Sequence, residues 1–508
     1  MTRSALNRIT AGPPEPGHRI SFRGAGPTET YPLEELYDLA GRLALHLRRL
    51  GLRSGDRIGV LARNSLEWVL LDLAALRLGV MTAGFESGKF TAGRPLLDRY
   101  GLALLFSDEE SPDTGVLPLA EARRMAFDDI RGDLPAHTYG PDDETTLKFT
   151  SGSTGSPKGL AATAGSIDSS LRAVQDMFAH GPGDDLFVFL PLSLLQQRYW
   201  VYSALAFGHD VTISTYGAAL PALRRTRPTV VMGVPAFYEL ARRHIEARVT
   251  DVAEEERPRA LGETARRLFG GRVRYLWTGS APADPATLRF FHSCGLPVYE
   301  GYGMNETCIV TKNHPGATRE GSVGRVVAGK TVLLDEHGNI SVRADFPVNR
   351  RYSYADPGVS ERVFAPDATV RTGDVGHLDA DGFLFITGRA DDVIALGNGR
   401  NVALRPIEDR LRQSPEIAEC LVFSPGGGEL VAVVSPVSGD TDEGAVTAHL
   451  RRTNALAARH ERVSRAVLAT EPFSVANGLL SSQYKPLRQR IRAAFADELA
   501  DPARGLAV

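Results

Sequence analysis

The sequence predicts an α/β protein with a large N-terminal domain of layered α/β subdomains, a β-rich subdomain and a small α+β C-terminal domain. The chain has 508 residues, more than one hydrophobic core usually contains, so we expect at least two domains. Helix and strand patterns alternate to about residue 300, as in parallel α/β layers. Short strands with hairpin turns begin at about residue 320, and a smaller α+β pattern follows Arg389. We therefore predict a large domain over residues 1–390 and a small domain over residues 391–508.

The first elements show this alternation. Apolar residues recur at helical spacing from residue 32 to residue 47, and Gly51 predicts the end of that helix. The apolar run Arg57–Leu61 follows as a strand. A second helix is expected at about residues 65–78, with Gly79 just past its end. We expect a parallel sheet covered by helices in this part of the chain.

Two turn sequences mark the β-rich part. Gly338-Asn339 and Asp381-Gly382 each separate two short apolar runs. Asp-Gly predicts a two-residue hairpin turn of type I′, because both central positions of that turn need a positive φ. These turns predict antiparallel hairpins between the parallel layers and the small domain.

Composition excludes several classes of protein. Apolar residues make up 43% and charged residues 23%, which is close to the globular average, so we do not expect a disordered chain. A net charge of -3 provides no basic excess for nucleic acid. No apolar stretch approaches the length of a membrane span, and the first residues contain no apolar signal region, so we expect a cytoplasmic protein. Three cysteines are too few and too scattered for a disulfide framework or a zinc cluster, and they suit a reducing compartment.

The most specific segment is the loop that follows the apolar strand 147–149. Tightly spaced hydroxyls and glycines let backbone N–H groups and short side chains approach phosphate oxygens closely. The loop is not a Walker A sequence, and a flexible linker would have no need of Pro157-Lys158-Gly159. The residues predicted to bind phosphate are Thr150, Ser151, Gly152, Ser153, Thr154, Gly155 and Lys158.

This loop resembles the phosphate signature of the adenylate-forming (AMP-binding) superfamily, which includes acyl-CoA synthetases, luciferases and nonribosomal-peptide adenylation domains. Four further segments resemble that superfamily in the same order, and they are residues 301–307, 371–374, 388–392 and 477–485. The last of them, together with residues 399–408, is most similar to the long-chain acyl-CoA synthetase branch. The resemblance therefore covers nearly the whole chain.

The resemblance implies an enzyme that joins a nucleophilic oxyanion to the α-phosphate of ATP and expels pyrophosphate. Such a site must hold several negative charges, so catalysis is mostly positioning and electrostatic stabilisation. Lys485 and Glu306 would be catalytic, with Lys485 bridging the nucleophile and the α-phosphate and Glu306 binding Mg²⁺. Tyr302 would stack on adenine, Asp374 would accept hydrogen bonds from the ribose, and Arg389 would contact the ribose or a phosphate.

The same resemblance implies a mobile small domain. Asp391 would be the hinge about which that domain rotates between adenylation and a second half-reaction. One rotation withdraws Lys485, and the other presents residues 399–408 to an incoming thiol. The residues assigned to the substrate pocket are Leu194, Gln197, Gly279 and Gly301.

Two positions depart from the family pattern. Leu194 stands where a histidine or aromatic residue usually gates the substrate channel, and Asn305 stands where threonine usually precedes the glutamate. The phosphate, magnesium, ribose and lysine groups all remain. The departures therefore leave ATP chemistry in place and leave the activated substrate open.

Three functions follow from these observations. The first is an acid–thiol ligase that activates a carboxylic acid with ATP and transfers the acyl group to coenzyme A. The second is a diazotase, which would adenylate nitrite and pass it to an aromatic amine in natural-product biosynthesis, and the unusual segment at Leu194 keeps this alternative open. The third is a non-catalytic ATP-binding sensor, against which the presence of both Glu306 and Lys485 argues. The partners expected are small molecules, and the sequence predicts no oligomeric state.

Overall fold

The computed structural model describes residues 4–24, 26–150, 157–390, 393–395, 401–425, 429–439, 441–481 and 484–508. The chain forms two compact units. The first unit contains Met1–Val332 and Val342–Arg371, and the second contains Leu333–Ser341 and Thr372–Val508. The domain division predicted at residue 390 stays a prediction.

The helices of the described residues are α1 (Ala5–Ala11), α2 (Leu33–Arg49), α3 (Leu66–Leu78), α4 (Arg94–Tyr100), α5 (Leu119–Phe127), α6 (Ala164–Phe178), α7 (Leu195–Phe207), α8 (Ala219–Thr226), α9 (Pro235–Glu246), α10 (Arg257–Leu268), α11 (Pro285–Ser293), α12 (Val359–Val363), α13 (Leu404–Leu411), α14 (Glu443–Leu456), α15 (Arg488–Ala494) and α16 (Ala496–Ala500). None of these described helices is long and apolar enough to cross a membrane.

The strands are β1 (Arg19–Arg23), β2 (Glu29–Pro32), β3 (Arg57–Leu61), β4 (Met81–Phe85), β5 (Leu104–Ser107), β6 (Val116–Pro118), β7 (Glu144–Thr150), β8 (Lys158–Thr163), β9 (Asp185–Val188), β10 (Asp210–Ser214), β11 (Val230–Met232), β12 (Tyr275–Thr278), β13 (Val298–Met304), β14 (Cys308–Lys312), β15 (Arg325–Val326), β16 (Lys330–Leu334), β17 (Asn339–Ala344), β18 (Val370–Leu378), β19 (Leu384–Arg389), β20 (Val393–Ala395), β21 (Asn401–Ala403), β22 (Ile417–Phe423), β23 (Leu430–Pro436), β24 (Val463–Leu468) and β25 (Leu506–Ala507).

Two large sheets form the layers of the first unit. One has six strands in the order β6-β5-β3-β4-β7-β8, and all its neighbours are parallel except β7 and β8. The other has nine strands in the order β15-β14-β13-β12-β11-β9-β10-β1-β2, with a parallel centre from β13 to β1. The smaller sheets have the orders β16-β17-β18-β19, β20-β21 and β22-β23-β24-β25. The predicted α/β class, with its β-rich part and C-terminal subdomain, is confirmed.

Helix α3 shows how the sequence produces the layered core. The Ser65 hydroxyl accepts a hydrogen bond from the Trp68 N–H at 3.3 Å and caps the helix, while Gly79 ends it with a φ of 69°. Every residue from Leu66 to Leu76 is buried, as expected for a helix enclosed on all sides. The predicted helix at residues 65–78 and the predicted strand at residues 57–61 are both confirmed.

A buried ion pair joins α3 to α7. Arg198 lies 2.8 Å from Asp72 through its Nη1 atom, and the side chains are 2% and 5% exposed. Tyr202 donates a hydrogen bond to the other carboxylate oxygen of Asp72 at 2.5 Å, and the guanidinium lies 5.1 Å from the ring centroid of Trp68. Because α7 begins one residue after Leu194, this network fixes the segment that carries two predicted pocket residues.

The predicted hairpins form, but the predicted type I′ turn is wrong. Gly338 and Gly382 have φ values of 77° and 80°, whereas Asp381 and Asn339 are not among the positive-φ residues. Each turn instead begins at an aspartate, Asp335 or Asp379, whose carboxylate accepts backbone N–H groups inside the turn. The aspartate therefore stabilises a longer turn in which only the glycine needs the left-handed conformation.

Candidate functional site

The predicted substrate pocket lies at one edge of the nine-stranded sheet. Leu194 and Gln197 follow β9, Gly279 follows β12, and Gly301 lies in β13. These strands run parallel around β11, so their carboxyl ends meet at the same edge. Ligands of open α/β sheets bind in the crevice at that edge. Leu194 is half-buried there and Gln197 is buried.

Two glycines of this pocket lie against each other. A Cβ atom on Gly279 would be 3.2 Å from the Gly301 carbonyl oxygen. A Cβ atom on Gly301 would be 2.7 Å from Cδ of Lys312 and 3.0 Å from the Thr311 carbonyl oxygen. Neither position has room for a side chain without displacement of its neighbours. The structure thus brings together two of the predicted pocket residues.

A tight turn between β13 and β14 carries Glu306. Lys148 Nζ donates to the Asn305 carbonyl oxygen at 2.6 Å, and Lys330 Nζ donates to the Thr307 carbonyl oxygen at 2.9 Å. Two cationic side chains therefore hold the backbone on both sides of the glutamate. Half-buried Tyr302 lies on the same strand, β13, before this turn.

Glu306 is buried and accepts a hydrogen bond from a second buried residue. The Tyr352 hydroxyl donates to Glu306 Oε1 at 2.6 Å, and the two residues are 9% and 6% exposed. Burial, together with the carboxylate of Glu306, raises the pKa of Tyr352, so the hydroxyl keeps its proton and acts as a donor. The described residues contain no cluster of three His, Cys, Asp or Glu side chains suited to a metal ion. A metal at Glu306 would therefore need oxygen ligands from a nucleotide and from water, which is how Mg²⁺ binds at many phosphate sites.

The strands on both sides of the predicted phosphate loop pair with each other. Thr150 at the end of β7 is in register with Lys158 at the start of β8. Lys158 Nζ lies 5.4 Å from the ring centroid of Tyr352. The loop residues between these strands, which are Ser151, Gly152, Ser153, Thr154 and Gly155, lie outside the described residues, as does the predicted hinge Asp391.

Three predicted residues come together in the second unit. Asp374 in β18 is directly opposite Arg389 in β19, and Arg389 Nη1 donates to Asp374 Oδ1 at 3.2 Å. Gly373 precedes Asp374 with a φ of 73°, and a Cβ atom there would be 3.0 Å from Arg389 Nη2. Burial lowers the pKa of Lys485 to about 8, while the charge of Asp374 raises it and that of Arg389 lowers it further. The three motifs thus supply one group of interacting charges.

Family models match both parts of the chain. Residues 14–345 match the model described as AMP-binding enzyme. Residues 391–502 match the model described as AMP-binding enzyme C-terminal domain. The chain belongs to the AMP-binding enzyme family. The adenylate-forming superfamily predicted from the five sequence segments is confirmed.

Curated relatives of this AMP-binding enzyme cover most of its length. The long-chain-fatty-acid–CoA ligase FadD15 of Mycobacterium bovis is 28% identical over 443 residues, which span 75% of this chain and 72% of the relative. The feruloyl-CoA synthase of an Amycolatopsis species is 28% identical over 460 residues, which span 84% of this chain and 87% of the relative. Among solved structures, the ATP-bound RpMatB-BxBclM chimera B3 aligns with a TM-score of 0.79 at 22% identity, over 98% of this chain and 100% of that chain. That last likeness shows a shared fold.

The sequence reasoning missed several residues of this AMP-binding enzyme's site. Lys148, Lys330 and Tyr352 contact the turn of Glu306, and none of them belongs to a segment that resembles the family's motifs. Lys148 offered one signal, since a lysine between apolar residues in a strand is unusual and requires a partner when buried. Tyr352 offered none.

Proposed function

We propose that this AMP-binding enzyme is an ATP-dependent acid–thiol ligase. In the first half-reaction a carboxylate oxygen attacks the α-phosphorus of ATP, pyrophosphate leaves and an acyl-AMP forms. In the second, the thiol of coenzyme A attacks the acyl carbon, AMP leaves and the thiol proton is released. The observation that carries the proposal is the grouping of Asp374, Arg389 and Lys485, which come from three separate motifs. Relatives named as CoA ligases and CoA synthases support the thioester product.

The residues of the site suit this chemistry. Lys485 provides a compact positive charge on a flexible stem, which can approach both the carboxylate and the α-phosphate. Asp374 provides acceptors for ribose hydroxyls, and its hydrogen bond with Arg389 fixes its orientation. The phosphate-loop residues and Lys158 would bind the β- and γ-phosphates, and Tyr302 would stack on adenine. Mg²⁺, when bound by Glu306, would neutralise developing phosphate charge.

The proposal includes two features that the described residues do not cover. Rotation about Asp391 would separate the two half-reactions. We also propose a cytoplasmic location, which the free thiols of Cys294, Cys308 and Cys420 support.

The direct test measures AMP and pyrophosphate release across a panel of carboxylic acids with coenzyme A. The expected result is release that depends on the acid, together with a thioester product. Lys485→Ala should lower adenylation by at least ~10²-fold and leave ATP binding intact, because the lysine stabilises charge that develops in the transition state. An unchanged rate in this variant would exclude the proposed role of Lys485.

A second candidate is the nitrite-activating diazotase, and a polar atom on the predicted pocket residue Gln197 favours it. The buried Oε1 of Gln197 has no hydrogen-bond partner among the described residues. An amide oxygen accepts hydrogen bonds, so it suits the N–H of an aromatic amine better than a long alkyl chain, since an unsatisfied buried polar atom is costly.

The same assay with nitrite and aromatic amines distinguishes the candidates. AMP release that depends on nitrite and gives no thioester would favour the diazotase over the acid–thiol ligase. ATP binding without AMP release on any substrate would favour the non-catalytic sensor.

A further inference from the structure

Tyr352 lies beside two of the predicted ATP-binding groups of the first unit, Glu306 and Lys158. Its hydroxyl donates to Glu306 Oε1 at 2.6 Å, and the ammonium of Lys158 lies 5.4 Å from its ring centroid. Glu306 and Tyr352 are 46 residues apart in sequence. One aromatic side chain therefore donates a hydrogen bond to the predicted metal carboxylate, while its ring lies within cation–π distance of the predicted phosphate lysine.

The surroundings of Tyr352 fix its position. Its backbone N–H donates to Ser360 Oγ at 3.0 Å, and its ring meets Phe364 edge-on with centroids 5.1 Å apart. The next residue, Ser353, exchanges two backbone hydrogen bonds with Gly159 at 2.7 and 2.8 Å. Since Gly159 directly follows Lys158 in β8, the chain segment of Tyr352 is attached to the strand that leaves the phosphate loop.

We propose that Tyr352 is a positioning residue for the metal site, one that occupies Oε1 of Glu306 and so presents Oε2 to Mg²⁺. This inference rests on the proposed function, in which Glu306 binds the metal. A carboxylate can use either oxygen, or both, as a ligand, and it can rotate between these arrangements. A hydrogen bond to one oxygen removes that freedom. Carboxylates that bind metals are commonly oriented by such outer partners, whose loss weakens metal affinity by about 10–100-fold.

The same geometry explains why the hydroxyl, and not the ring alone, matters. Phenylalanine at position 352 would keep the packing on Phe364 and the contact with Lys158, but it would leave Oε1 without its donor. Glu306 could then rotate, and a buried carboxylate oxygen would lose its hydrogen bond. Tyr352→Phe therefore separates the orienting role from the packing role.

The test is equilibrium binding of Mn²⁺, measured by electron paramagnetic resonance in the presence of α,β-methylene-ATP. Tyr352→Phe is expected to raise the Mn²⁺ dissociation constant by about 10–100-fold. Tyr354→Phe is the matched control, because the Tyr354 hydroxyl lies on the same segment and also makes hydrogen bonds: it accepts one from Arg57 and donates one to the Tyr100 carbonyl oxygen. The control should bind Mn²⁺ like the wild type. Wild-type affinity in Tyr352→Phe would overturn the inference.

A double-mutant cycle separates an orienting role from a general structural one. Glu306→Gln should weaken Mn²⁺ binding, and adding Tyr352→Phe to it should cause no further loss, because the tyrosine acts through the carboxylate. Additive losses would overturn the inference.

Tyr352→His, which keeps a donor, should recover part of the affinity that Tyr352→Phe loses, and no recovery would count against the inference. If Glu306→Gln binds Mn²⁺ like the wild type, the metal role of Glu306 in the proposed function is wrong. If Glu306→Gln weakens Mn²⁺ binding but Tyr352→Phe does not, only the inference about Tyr352 is wrong.

Discussion

The charged side chains of the site are held by specific neighbours. Asp374 accepts a hydrogen bond from Arg389, and Glu306 accepts one from Tyr352. Lys485 interacts with the charges of the first of these pairs. Each carboxylate thus has a fixed orientation before any ligand arrives, which lowers the entropy that binding must overcome.

Lys485 predicts a pH dependence of the first half-reaction. Burial lowers its pKa to about 8, so the lysine loses its proton as the pH rises through that value. If the cation is required, kcat/KM for adenylation should be constant below pH 7 and fall above about pH 8. Pyrophosphate release measured from pH 6 to pH 10 checks this. Lys485→Arg, with a group that stays charged, should be slower but should lose the decline, and a wild-type profile flat to pH 10 would contradict the prediction.

Residues inside contiguous motifs could be predicted, and residues that act from elsewhere in the chain could not. Glu306, Asp374, Arg389 and Lys485 each lie in a segment whose spacing resembles the family pattern. Tyr352 contacts Glu306 only because the fold brings two separate segments together. A single sequence contains no signal for such a contact, since nothing local requires a tyrosine at that position.

Helix α7 is positioned by a buried charge pair rather than by apolar packing alone. Asp72 and Arg198 pair at 2.8 Å, and Nε and Nη2 of Arg198 have no hydrogen-bond partner among the described residues. Burying both ions is costly, so the pair contributes little to net stability while it remains intact. Loss of one partner is strongly destabilising, because an unpaired charge then remains inside the protein.

This arrangement predicts an asymmetric response to mutation. Asp72→Asn should lower the free energy of unfolding by about 3–5 kcal/mol, because it leaves Arg198 uncompensated. Asp72→Leu combined with Arg198→Met should recover most of that loss. The control is Glu263→Gln, which breaks the exposed pair with Arg259 and should cost at most about 0.5 kcal/mol. Urea unfolding measures all three, and equal losses in the buried and exposed single variants would contradict the argument.

At the two hairpin turns, the local sequence pattern predicts that a turn forms but not its type. The sequence predicted both hairpins correctly, because glycine in each turn supplies the left-handed residue. It predicted the wrong turn type, since the residue that decides the type is the aspartate three positions before that glycine. Asp335 and Asp379 each accept N–H groups of their own turn and so lengthen it.

At the scale of the whole molecule, two buried histidines affect acid stability. Burial lowers the pKa of His180 to about 3 and that of His209 to about 4. Both groups stay neutral in the folded protein at pH values where the unfolded chain binds protons. Stability from these groups is therefore complete above about pH 6.5 and decreases as the pH falls below it, by about 1.4 kcal/mol per pH unit for each histidine.

His180→Leu tests this directly. The variant loses the hydrogen bond to Tyr275 and should be less stable than the wild type at pH 7.5. Because it no longer penalises protonation, the difference between the two proteins should shrink by about 1.4 kcal/mol for each pH unit from pH 6.5 to pH 4.5. Urea unfolding at several pH values gives that difference, in which the other titrating groups cancel. A difference independent of pH would contradict the assignment.

The layered architecture could be predicted because its causes are periodic sequence patterns. The order of the strands within each sheet, which decides which residues meet at one edge, could not. Alternating strand and helix patterns specify parallel layers wherever they occur. Leu194, Gly279 and Gly301 meet at one edge because the strands have the order β13-β12-β11-β9. That order depends on which strands pair, and the sequence of a single segment does not determine its pairing partner.

The two lysines that hold the Glu306 turn bear on the construction of chimaeras. Lys148 lies in β7, which enters the predicted phosphate loop, and Lys330 is the first residue of β16, yet both donate to carbonyl oxygens of the same turn. The turn is thus held by two side chains that are distant from it and from each other in sequence. A chimaera that receives residues 301–312 in a related scaffold would also need both lysines. A recombination breakpoint between residues 148 and 330 would take one lysine and the turn from different parents, so the contact between them could be lost.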